Sequence, residues 1–163
     1  MSYFYKAFLI LTLALFSSAS QGDDWIRSND QNFGFTYTFP AEIFIPAEGE
    51  SKPSMYGFKS RDGRAKLLFS AWNNKEGRSP EGFKEWLLAN TEGYDELTYR
   101  PRGRTWFVLS GYREDNVYYE KVMFSCGGDV VNVFAISYPE AERNHYDHVV
   151  ERIEDHFRPG KGC

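Results

Sequence analysis

The sequence predicts an α+β fold: one domain built on an antiparallel meander sheet of about six to seven strands, flanked by helices. Three observations carry this. Residues 117–125 and 130–138 are rich in β-branched and aromatic side chains and are separated only by Cys126-Gly-Gly-Asp129, which reads as a two-residue hairpin turn, because a Gly-Gly pair supplies positive φ angles. Downstream, Tyr146, Val149, Val150, Ile153 and Phe157 recur at helical spacing and form one apolar stripe. Upstream, residues 33–39 alternate strictly, which is the period-two pattern of a half-buried strand.

The elements follow in order. Residues 1–20 read as a secretory signal peptide. Lys6 precedes the apolar run 7–16, and Ser17-Ser-Ala-Ser20 supplies the small residues that cleavage requires. Ala19 and Ser20 both satisfy that requirement. The run is short for a membrane span, and no cysteine follows it to carry a lipid anchor. The expectation is a soluble periplasmic or secreted domain over residues 21–163, monomeric and with no membrane contact once the leader is removed. Loss of the leader takes away one Lys and no acid, moving the net charge from −4 to −5. That balance opposes binding to nucleic acid, which rests on clustered Lys and Arg, and opposes adsorption to an anionic membrane.

Residues 23–32 are polar, carry Trp25 and read as a loosely attached lead-in. In the strand 33–39, Phe33, Phe35, Tyr37 and Phe39 share one face. Pro40 and Pro46 bracket an irregular passage through 43–45, and 47–53 is an exposed loop. Strands at 54–60 and 65–72 flank Arg61-Asp-Gly-Arg64, whose Asp-Gly pair is a strong hairpin signal. Ser79-Pro80-Glu81 announces a helix by N-cap, first-turn Pro and acid. Its inner face falls on Phe83, Trp86 and Leu87, and Gly93 is a plausible stop. Strands at 96–100 and 105–112 precede the final hairpin and helix. Burial of the five-residue stripe on that helix is worth at most on the order of 10 kcal/mol. Ile153→Asp is therefore expected to abolish folding, and Glu154→Ala to be nearly silent.

Little in the chain points to catalysis. His145, His148 and His156 fall on one helical line, and imidazoles one turn apart can chelate a metal. Arg152 in the middle of that line repels a cation, so the favoured reading is a solvated helix face, with no metal and no cofactor. Cys126 and Cys163 invite a disulfide in an oxidising compartment, the alternative being two free or intermolecular thiols. Ser110 and Cys126 are the nucleophile candidates for a small hydrolase, and neither sits in a recognisable triad motif. Arg100, Arg102 and Arg104 form a small basic turn. Tyr56, Trp72, Tyr99, Trp106, Tyr118 and Tyr119 are candidates to line a concave sheet face.

Several strings of residues carry a resemblance: 33–40 (Phe-Gly-Phe-Thr-Tyr-Thr-Phe-Pro), the Asp62-Gly63 turn, 106–111 (Trp-Phe-Val-Leu-Ser-Gly), 118–121 (Tyr-Tyr-Glu-Lys) and the ending from Tyr146 to Gly160. Together they look like a group of small exported bacterial proteins of unknown function. Their order resembles the fold shared by the extrinsic photosystem protein PsbP and the Ran-release factor of nuclear import. The resemblance implies architecture and transfers no catalytic residue. The function expected from it is a non-enzymatic binding or assembly module for an unknown protein or small ligand. The alternatives are an immunity or inhibitor protein against a secreted toxin or enzyme and, third, a small hydrolase.

Overall fold

A computed structural model describes residues 24–49, 52–91, 93–161 and 163; the leader at 1–20 lies outside the described residues. Eleven elements follow in chain order. The first five strands are β1 (Trp25–Asn29), β2 (Thr36–Pro40), β3 (Phe44–Pro46), β4 (Met55–Ser60) and β5 (Lys66–Asn73). Helix α1 (Pro80–Asn90) leads to β6 (Glu96–Tyr99), β7 (Trp106–Arg113), β8 (Asn116–Ser125) and β9 (Val130–Pro139), and α2 (Arg143–His156) closes the domain. Seven strands form one antiparallel sheet in the order β3-β4-β5-β9-β8-β7-β6, and β1 and β2 form a separate two-stranded sheet.

The structure departs from the sequence pattern in three places. Residues 25–29 are a strand and not a loose lead-in: they pair with β2 from Trp25 opposite Pro40 to Asn29 opposite Thr36. The passage around Ile45 is a short edge strand, Phe44 opposite Ser60 and Pro46 opposite Phe58. The β8–β9 turn is longer than two residues, because Ser125 pairs with Val130 and leaves residues 126–129 in the loop. There Cys126, Gly127 and Gly128 all take positive φ, at 54°, 69° and 111°. Cys126 tolerates that conformation at a cost; its sulfur is bonded to Cys163, with the two Cα atoms 5.5 Å apart.

Period two along the strands sorts the side chains onto two faces. On one face Phe69, Phe134 and Tyr119 meet α2 and β2, and Phe35, Tyr37, Val149, Ile153 and Phe157 complete that core. All five residues of the terminal stripe are buried, Ile153 and Phe157 completely. On the other face Phe107, Leu109, Val122, Phe124, Val131 and Val133 meet Phe83 and Leu87 of α1. Trp86, expected inside, is 38% exposed; its position turns the indole to the flank of α1, where the Arg78 guanidinium lies 4.8 Å from the ring centre. The Ser79 hydroxyl caps α1 by accepting from Gly82 N–H at 3.1 Å.

Two tyrosine–carboxylate bonds hook α2 to the sheet. The Tyr119 hydroxyl donates to Glu154 at 2.5 Å and the Lys121 ammonium donates to the other oxygen at 2.8 Å. The Tyr138 hydroxyl donates to Asp147 at 2.8 Å. After α2 the chain bridges back to β2, Arg158 and Thr36 exchanging backbone hydrogen bonds of 2.9 and 3.0 Å. Glu154 is thus an anchor, contrary to the expectation that its loss would be silent.

Candidate ligand-binding site

Helix α1 is too short to cover its face of the sheet. Cross-strand registers give that face as successive rows. The row Phe107–Val122–Val133 lies in the core under α1. The next row outward is Leu68–Ala135–Glu120–Leu109, and the one beyond it is Lys59–Lys66–Ser137–Tyr118–Gly111. The helix ends at Asn90, so these two rows, without Leu109 and Gly111, form the floor of an open cavity of about 460 Å³. Thr91, Gly93 and Tyr94 wall it on the helix side, and Arg113 stands beside Tyr118 at 4.1 Å from its ring centre. A volume of this size is in the range of small-ligand sites, which pair apolar walls with a few polar groups.

The acid in the inner row of this floor is Glu120. Alternation places it on the same face as Val122 and Phe124, so a carboxylate lies in an apolar row between Ala135 and Leu109. It has no hydrogen-bond or ion-pair partner among the described residues. Burial alone pushes its carboxyl up to about 7, since a low-dielectric setting penalises the charged form. Tyr94 is pushed well above the ordinary phenol range, first by its own burial and then by the Glu120 charge. The adjacent Lys121 points to the opposite face, where Glu154 neutralises it. One strand therefore carries two inward charges, of which only one is compensated.

The candidates read from the sequence fall elsewhere. His145 and His148 are both exposed, with ring centres 6.1 Å apart, while His156 Nδ1 lies 2.8 Å from the Arg152 carbonyl. No group of three potential metal ligands comes together among the described residues. The Arg152 guanidinium stacks 4.3 Å from the Trp25 ring centre instead. Cys126 is tied to Cys163 and so is not a free nucleophile. Ser110 is a β7 residue whose carbonyl accepts from Thr98 Oγ1 at 3.3 Å. Arg102 pairs with Glu81 at 2.6 Å. Of the six aromatic candidates, Tyr118 and Tyr119 line the cavity, Tyr119 being directed mainly to the α2 core, where Tyr56 and Trp106 also pack. Trp72 and Tyr99 are exposed, at 39% and 55%.

The sequence matches no protein-family model and none of the curated proteins. Solved structures do match. The solution structure of cyanobacterial PsbP from Synechocystis sp. PCC 6803 aligns with TM-score 0.56 at 14% identity, over 89% of this chain and 98% of that one. The Ran-binding protein Mog1p of Saccharomyces cerevisiae aligns with TM-score 0.59 at 12% identity, over 84% of this chain and 96% of that one. The fold is that of PsbP and Mog1. At such identities the likeness reaches the architecture and stops short of any site residue. Glu120 was not singled out from the sequence, although the alternation Tyr118, Glu120, Val122, Phe124 carries the signal: a charge in phase with an apolar face.

Proposed function

We propose that this protein is an exported, non-enzymatic binding module that holds a small ligand in the cavity over Glu120. The observation that carries the reading is an uncompensated carboxylate at the floor of an apolar cavity. Such a group costs folding free energy, and sites that retain one are candidates for function. The fold supports a binding role by analogy, since a structural neighbour is described as a Ran-binding protein. The tie of Cys126 to Cys163 removes one of the two nucleophiles on which a hydrolase reading rested. Export rests on the order of charge, apolar run and small residues at 1–20.

Two measurements test this. Thermal-shift screening of the purified protein against a small-molecule library is expected to yield compounds that raise the melting temperature of wild type and not of Ala135→Phe, which fills the floor beside Glu120. Equal response of the two proteins overturns the cavity as the site. Intact mass of the protein recovered from a bacterial host is expected to show a chain beginning just after Ala19 or Ser20. Recovery with residues 1–20 attached overturns export by cleavage.

A further inference from the structure

We propose that the cavity selects an organic cation, a protonated amine on an apolar body, with the ammonium against Glu120 and the apolar part along Leu68 and Ala135. This rests on the small-ligand reading above and names the ligand chemistry that the floor would recognise. The floor offers apolar surface from Leu68, Ala135 and the Tyr118 ring, so a ligand gains from burying hydrocarbon. The centre of the floor offers one carboxylate without a partner among the described residues, and a buried charge is stabilised strongly only by an opposite charge that also hydrogen-bonds to it.

The other ionisable groups around the cavity are arranged consistently with that choice. Lys59 of β4 and Lys66 of β5 lie in the outer row, with Ser137 and Tyr118 between them and β7, and Lys66 is exposed. Arg113 of β7 is stacked on Tyr118, and Tyr94 stands on the segment after α1 with its phenol protonated at neutral pH. Water screens the exposed lysines far more than it screens the half-buried Glu120. Among the described residues the acid thus lies in the inner row and the two lysines in the outer one, which orients an amine inward. Binding would deprotonate Glu120 wherever it was neutral before, so affinity rises with pH across its titration.

Calorimetric titration with three probes that share an eight-carbon chain (octylamine, 1-octanol and octanoate) tests the idea, since the apolar contribution is then constant. At about pH 8, octylamine is expected to bind at least about tenfold more tightly than 1-octanol. Glu120→Gln is expected to erase that preference while retaining 1-octanol. Between about pH 8 and pH 6 octylamine should weaken by about tenfold in wild type, with 1-octanol unchanged, because octylamine itself stays protonated and only Glu120 titrates in that window. Octanoate as the tightest probe, or equal binding of octylamine and 1-octanol, overturns the cation proposal and leaves the small-ligand reading standing. An octylamine affinity indifferent to pH overturns it as well, and decides the matter on wild type alone if Glu120→Gln fails to fold. Absence of binding by all three overturns the cation proposal, while the small-ligand reading stands or falls on the library screen against Ala135→Phe.

Discussion

Asp30 and Glu120 are two carboxylates that the same fold withdraws from water, the first wholly and the second in part, with opposite outcomes. Asp30, 1% exposed, accepts from the Asn32 and Phe33 N–H groups at 3.0 and 2.6 Å and from the Tyr56 hydroxyl at 2.8 Å. Burial raises its pKa, but these donors outweigh burial and hold it below the ordinary carboxylate value. Glu120 has no such donors and rises to about 7. The unfolded chain ionises Glu120 near 4.5, so the native state binds the extra proton between 4.5 and about 7. Stability therefore declines as pH rises through that window and is flat above it. Glu120→Gln is expected to remove this slope and to raise stability at about pH 8 by up to about 3 kcal/mol. Urea unfolding of both proteins at about pH 4.5 and pH 8 checks it, and parallel pH profiles would show that Glu120 is solvated. Glu154 is the compensated counterpart. Glu154→Ala strands the Lys121 ammonium and the Tyr119 hydroxyl under α2, and should lower stability by about 2 kcal/mol; an unchanged urea midpoint contradicts the anchor role.

At the scale of elements, what was legible in the sequence is what depends on a residue's own neighbours. The α2 stripe, the Ser79 cap and the β7–β8–β9 strands all follow from local spacing, and each stands where that spacing puts it. Strands β1 and β3 escape a local reading because their pairing is their reason for being extended: residues 25–29 have no apolar alternation, and Phe44–Pro46 is three residues long. Trp86 was misplaced because helical phase alone cannot say how wide a stripe the sheet covers. The same gap hides Glu120, whose phase is readable but whose exposure depends on α1 ending before the two outer rows. The segment after α2 is constrained in an equally nonlocal way. A Cβ built on Gly160 would sit within bonding distance of the Phe33 carbonyl oxygen, so the backbones touch where the tail crosses the start of β2. Gly160→Ala is accordingly expected to unpair Arg158 from Thr36 and lower stability by about 1–3 kcal/mol. Hydrogen exchange at the Thr36 and Arg158 amides reads this directly; retained protection of both would mean that the tail shifts without cost. Ile153→Asp places a charge at a fully buried position in the α2 interface and should abolish cooperative unfolding altogether.

Across the whole molecule, the seven-stranded sheet has a thick side and a thin side. The α2 face is sealed three times over, by α2 itself, by the β1–β2 pair, and by the tail that pairs with β2 and then bonds to Cys126. The α1 face carries one eleven-residue helix and leaves its outer rows open. Rigidity on one face is what permits a cavity on the other, because an open floor with an uncompensated carboxylate is tolerable only where the remaining core is secure. The Cys126–Cys163 bond contributes to that security from the unfolded side: it closes a loop with a sequence separation of 37, for which loop entropy gives about 4 kcal/mol. Because β8, β9, α2 and the tail are all within or beside that loop, the bond stabilises the α2 face without touching Glu120. Cys163→Ser should therefore lower the urea midpoint of unfolding by an amount corresponding to about 2–4 kcal/mol, while the Glu120-dependent slope between about pH 4.5 and pH 7 persists unchanged. Loss of that slope in Cys163→Ser would mean that the cavity depends on the tail, and that the two faces of the sheet are not independent.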